Sequence, residues 1–89
     1  MNDIYLATFV LRGKNRRNIM ETLKGGNKTQ AELHKIINMY RTHVRRTLNE
    51  LISKNLVKCI NPNDKRYKIY KLTSTGEKTI KKINKLNRW

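Results

Sequence analysis

The residues best equipped for chemistry lie between positions 40 and 56, in the run YRTHVRRTLNELISKNL. At about 100° per residue, Val44, Leu48 and Leu51 share one helical face, with Thr47 and Ile52 at its flanks. Thr42, Arg45, Arg46, Asn49 and Ser53 fall opposite. Arginine and asparagine make paired hydrogen bonds to guanine and adenine edges in the major groove. Glu50 is the only acid in the run, whereas a face that is merely solvated mixes signs. The spacing predicts one helix that packs with one side and offers the other for base readout; a solvated face without a ligand is the alternative.

Other chemistries find little material. His34 and His43 fall on separate predicted helices, and the single cysteine, Cys59, leaves no four-Cys zinc site and no internal disulfide. The histidines read as structural or DNA-contacting. The acids are scattered singly, so no carboxylate pair for acid–base work emerges, and Gly25-Gly26 lacks the spacing and following Lys-Ser/Thr of a phosphate loop. No enzyme, metal, cofactor or small-molecule ligand is expected. Lys58 beside Cys59 could lower the thiol's pKa for a redox role, but an inert core position is the plainer reading.

The whole chain carries 89 residues with 21 Lys plus Arg against 6 Asp plus Glu, a net charge of +15. Such a field attracts polyanions, with nucleic acid first. A membrane surface needs a basic amphipathic helix with Trp, Phe or Leu on its apolar side, and one Phe and one Trp argue against it. The apolar run 4–11 is too short to span a bilayer and lacks the basic start of a secretory signal. A soluble, cytoplasmic, nucleoid-associated protein is expected, built as a single domain over 1–89.

The elements that must position the reading helix follow in order. Residues 1–11 predict a helix apolar nearly all round, which must be covered by the chain's own core or by a second subunit, with a subunit contact shared with the last helix the leading expectation. Asn15 is expected to cap a second helix, 16–24, with Ile19, Met20 and Leu23 inward and Gly25-Gly26 as its stop. Arg12, Lys14, Arg16 and Arg17 crowd its start, where a partner phosphate would relieve the clash with the helix dipole. Thr29-Gln30-Ala31-Glu32 is a capping box opening a helix to about residue 37, with Leu33, Ile36 and Ile37 buried and Asn38 in a left-handed stop. Helix, tight turn and basic helix over 29–56 make a helix-turn-helix.

Beyond residue 56 the period changes to alternation, with Val57, Cys59 and Asn61 on one side. Pro62-Asn63-Asp64 reads as a turn, and residues 67–73 alternate again with Tyr70 and Leu72 together. A two-stranded antiparallel hairpin over 57–73 follows, its tip carrying Lys65, Arg66 and Lys68. A basic hairpin after a basic helix is a wing, which lies along phosphate or in the minor groove. Ser74 to Glu77 has capping-box spacing and opens a last helix, 74–88, with Ile80, Ile83 and Leu86 as its stripe and Lys78, Lys81, Lys82 and Lys85 elsewhere. The fold class is therefore mostly α with a small β hairpin: a winged helix-turn-helix with an apolar N-terminal helix and a C-terminal helix.

From Phe9 to about Ile80 the chain resembles the small archaeal winged helix-turn-helix regulators, related in architecture to the MarR and ArsR groups. The resemblance is carried by FVLRGKNRR, THVRRTLNELISKNLV, CINP and YKLTSTGEK. It implies a recognition helix in the major groove, a wing on the backbone, and a dimer on promoter DNA. Carried over by position, Arg41, Thr42, Arg45, Arg46 and Asn49 would face the groove, with Lys65, Arg66 and Lys68 as wing contacts. This sequence departs from the pattern at Tyr40, where a Ser or Thr cap is common, at Arg45, where a small hydroxyl is common, and at Tyr67, where a wing glycine is common.

The expected site thus comprises Arg41, Thr42, His43, Arg45, Arg46 and Asn49 on the helix and Lys65, Arg66 and Lys68 on the wing. Arg16, Arg17, Lys28, Thr29 and Gln30 are candidate phosphate contacts, and Ile4, Tyr5, Phe9, Ile83, Leu86 and Trp89 candidate dimer contacts. The leading expectation is a homodimeric, sequence-specific transcription regulator on double-stranded DNA at a palindromic site. An architectural DNA-coating or bridging protein and a winged-helix protein-interaction module are the alternatives.

Overall fold

The computed structural model of the chain describes residues 3–86. Helices α1 (Asp3–Leu11), α2 (Lys14–Lys24), α3 (Gln30–Ile37), α4 (Arg41–Ser53) and α5 (Ser74–Leu86) surround strands β1 (Lys28–Thr29), β2 (Val57–Cys59) and β3 (Ile69–Leu72). Trp89 lies outside the described residues. The expected hairpin is part of a three-stranded antiparallel sheet ordered β1-β3-β2. Tyr70 sits opposite Cys59 on one side and Lys28 on the other, and Leu72 sits opposite Val57. Strand β1 escapes sequence reading because two residues have no period to reveal.

Each helix delivers its inward stripe to one core. Leu6, Ala7 and Val10 of α1 meet Ile19, Met20 and Leu23 of α2, Leu33 of α3, Val44, Leu48 and Leu51 of α4, and Ile80 and Ile83 of α5, closed by Leu56, Val57, Tyr70 and Leu72. Two expected core positions differ. Ile36 is 57 % exposed, because α3 is packed by α2, α4 and β1 on the side carrying Leu33, and Ile36 turns away from it. Leu86, at the far end of α5, is also half-exposed.

Local signals explain the helix ends. The α3 capping box forms as expected: the Glu32 amide donates to Thr29 Oγ1 at 3.1 Å and the Thr29 amide to Glu32 Oε1 at 2.9 Å. These bonds hold the Glu32 carboxyl below its ordinary pKa. Asn38 adopts the left-handed conformation (φ 60°) and ends α3. Helix α2, in contrast, begins before Asn15. Gly13 is its N-cap in extended backbone without a side-chain cap, and its carbonyl accepts from the Arg17 amide.

Helix α5 begins at Ser74 as expected, but its cap is displaced by one residue. Thr73, not Ser74, caps it: the Gly76 amide donates to Thr73 Oγ1 at 2.9 Å and the Glu77 amide to the Thr73 carbonyl at 2.9 Å. Thr73 simultaneously donates its hydroxyl to the Asn55 carbonyl (2.6 Å) and its amide to the Leu56 carbonyl (3.1 Å). These bonds draw the first turn of α5 onto the α4–β2 corner, where a Cβ on Gly76 would stand 2.1 Å from the Leu56 oxygen. Backbone on both sides leaves no room to yield. Gly76→Ala is therefore expected to lower stability by about 3 kcal/mol or more, read as a reduced urea midpoint by circular dichroism.

Candidate nucleic-acid interface

The outward face of α4 is set by what its other side buries. Val44, Thr47, Leu48 and Leu51 are buried, and the Thr47 hydroxyl is satisfied by the His43 carbonyl at 2.8 Å. Arg41, Thr42, His43, Arg45, Arg46 and Asn49 are consequently all exposed. The helix starts at Arg41 rather than at Tyr40, which is an N-cap in extended backbone with no side-chain cap bond. The α3–α4 turn is held by Gln30 Nε2 reaching the Arg41 carbonyl at 3.5 Å and by the His34 ring bonding to the Met39 carbonyl.

Glu50, the acid within this helix, does not dilute the cationic face. Its Oε1 accepts from Arg16 Nε at 3.2 Å. Arg16 also donates from its other end to the Phe9 carbonyl at 2.7 Å and lies 3.9 Å from the Phe9 ring centre. Three helices are joined through this half-buried guanidinium. Its Nε serves Glu50 of α4 and its Nη1 serves Phe9 of α1, which gives Arg16 a structural role between those helices. The Arg16–Glu50 pair itself lines a cleft of about 310 Å³ together with Arg12, Lys14, His43 and Arg46, which joins the start of α2 to the outer face of α4.

The wing is shaped by two short side chains. Asn61 Nδ2 donates to the Tyr67 carbonyl at 2.7 Å, while Asn61 Oδ1 accepts from the Ile69 amide at 2.7 Å and from Cys59 Sγ at 3.7 Å. The Asp64 carboxylate accepts from the amides of Arg66 (2.8 Å) and Tyr67 (2.9 Å), and these bonds pull its pKa below the ordinary aspartate range. Their support of the wing is present above the unfolded aspartate's titration and is lost as pH falls through the lowered value. Regular pairing stops at Ile69 because the side chain of Asn61 substitutes for the next rung. Lys65, Arg66 and Lys68 are left exposed.

The wing tip leans over the start of α3. A cavity of about 160 Å³ is lined by Thr29, Gln30 and Ala31 on one side and by residues 65–68 on the other, so two expected contact groups are brought together. Lys28 is half-buried and donates to the Gly26 carbonyl at 3.2 Å. The Thr29 hydroxyl serves the α3 cap. Burial raises the pKa of the Tyr70 hydroxyl, and the charge of Arg45 acts against that rise.

The candidate dimer residues separate. Ile4 and Tyr5 are exposed on α1, Leu86 is exposed on α5, and Phe9 is half-buried under Arg16. Ile83 is fully buried within the chain, so its expected role as a dimer contact is corrected to core: position 83 lies on the α5 side that faces α1 and α2. Lys54 Nζ donates to the Tyr5 hydroxyl at 3.0 Å and lowers its pKa. The organising roles of Asn61 and Arg16 are absent from the sequence reading. The Asn61-Pro62 pair, a turn-starting dipeptide, is the one signal that hinted at the first; nothing local marks the second.

A model of the winged helix DNA-binding domain matches residues 13–76, and the chain belongs to that family. Among solved structures it is similar to a cysteine-to-serine mutant of Escherichia coli MarR (26 % identity, TM-score 0.77), covering 94 % of this chain and 65 % of that one. The same mutant complexed with operator DNA matches at 26 % identity and TM-score 0.76, with 94 % and 64 % covered. The transcriptional regulator BldR from Sulfolobus solfataricus shares the fold at 19 % identity and TM-score 0.74, with 83 % and 54 % covered. The chain thus spans just under two thirds of these MarR chains. No curated protein matches it. Bacterial and archaeal neighbours alike share the architecture, so the archaeal likeness narrows to the fold.

Among the described residues no helix is long and apolar enough to cross a membrane, and no three of His, Cys, Asp and Glu gather as a metal site. Asn61→Ala is expected to lower stability by about 1 to 2 kcal/mol, the worth of two hydrogen bonds. It should also raise the fast backbone motion of residues 62–68, measured by heteronuclear NOE.

Proposed function

We propose that the chain is a DNA-binding transcription regulator that sets α4 into the major groove and the wing loop, 62–68, on the backbone or in the minor groove. The observation that carries this reading is the outward face of α4: six exposed polar or cationic side chains, Arg41 to Asn49, with the helix's acid turned aside by Arg16. Arg46 and Asn49 act as base-edge donors, and Lys65, Arg66 and Lys68 as phosphate contacts. The operator DNA held by the similar MarR mutant supports the same use of the surface here.

The protein acts as a homodimer on a palindromic site with half-site centres about 34 Å apart. Exposed Ile4, Tyr5 and Leu11 on α1 and Leu86 on α5 support this, since α1 and α5 pack together. Ile4→Glu is expected to convert dimer to monomer in sedimentation velocity while the helical signal stays intact.

An architectural, weakly selective mode is the second reading, favoured by the exposed Lys78, Lys81 and Lys85 on α5, which extend positive charge beyond the helix-turn-helix. Titration of labelled duplexes at low and physiological salt separates the two. The regulator reading expects a preference of about a thousandfold or more for a selected site; equal affinities that collapse together with salt would overturn it. Arg46→Ala and Asn49→Ala should each weaken the selected site by about 1 to 3 kcal/mol and relax discrimination. Lys65→Ala should weaken all DNA alike and reduce the salt slope by about one unit.

A further inference from the structure

Tyr40 is the residue that neither the core nor the helix cap explains. Ser, Thr, Asp and Asn are favoured at an N-cap because their oxygens satisfy first-turn amides, yet Tyr40 occupies that position and makes no side-chain cap bond. It is 76 % exposed, more than any other exposed large apolar side chain among the described residues. Nor does it belong to the apolar surface of α1 and α5, since it opens α4 directly before Arg41 and Thr42. Its ring is braced in place: the His43 ring meets it edge to face, 5.7 Å between centres and 90° between planes. An edge-to-face pair is a favoured aromatic arrangement, and it holds the phenol beside the first turn of the outward face.

In a helix-turn-helix the N-terminal residues of the second helix are the ones that contact base edges. Most groups on those edges are donors or acceptors; the thymine C5-methyl is the apolar one, and apolar side chains read it. We propose that Tyr40, braced by His43, packs its ring on a thymine methyl in each half-site and thereby selects thymine there. This rests on the placement of α4 in the major groove. It accounts for a bulky aromatic at a position where a small hydroxyl would give a better-capped helix.

The experiment starts from duplexes enriched by the wild-type protein from a random library, with each thymine in turn replaced by deoxyuridine, which lacks only the methyl. Wild type should lose about fourfold at one thymine per half-site, the worth of one buried methyl-sized group. Tyr40→Phe should keep that dependence. Tyr40→Ala should bind the thymine and deoxyuridine duplexes equally. Tyr40→Ser restores a capping oxygen, so it should melt no lower than wild type and still lose the discrimination, which separates reading from folding.

Retained thymine dependence in Tyr40→Ser would overturn the proposal. So would Tyr40→Phe losing as much affinity as Tyr40→Ala, which would mark a hydroxyl-to-phosphate contact instead. Enrichment of a site with no thymine dependence overturns this inference alone; failure to enrich any site overturns the regulator reading and this inference with it.

Discussion

Burial of Val44, Thr47, Leu48 and Leu51 sets the rotation of α4 about its axis, and what the molecule offers to a ligand follows from that rotation. A turn of about 100° in the assignment of the buried side would bring Arg45 or Arg46 into the core, where an unpaired charge is strongly disfavoured. The packing is therefore self-policing. Helices α2 and α3 both pack against α4, and the capping box and left-handed Asn38 limit α3 to the length that lets α4 start where it does.

A second junction links that helix to the rest of the chain. Asn55, in left-handed backbone, turns the chain out of α4, and the carbonyls of Asn55 and Leu56 both receive bonds from Thr73. Thr73 in turn caps α5. The end of α4, the end of the wing and the start of the last helix thus share one knot of backbone groups. Gly76 is the residue whose missing side chain permits it. Helix α5 also packs on α1, and Arg16 and Lys54 reach α1 from the other side.

Three of the six acids in a chain of net charge +15 have structural employment. Glu32 closes the α3 cap, Glu50 pairs with Arg16, and Asp64 gathers the amides of the wing. At these three positions negative charge is kept close to its own partners. For an exposed pair such an arrangement contributes little to stability; its consequence is the shape of the field that meets a polyanion.

Periodicity and capping chemistry by themselves determined most of the architecture. The recurrence of apolar residues at helical spacing specified the buried sides of α2, α4 and the first part of α5. Thr29-Glu32 and Asn38 specified both ends of α3, and the switch to period two specified β2 and β3. These are local properties, decided by bonds within a turn or two of the chain, so the sequence carries them in readable form. Tertiary structure alone decided the pairing of Lys28-Thr29 with β3, the exposure of Ile36, and the engagement of Arg16 by Glu50, 34 residues away. Each depends on which distant element comes to lie alongside, and a linear pattern holds no record of a neighbour that the chain meets only after folding.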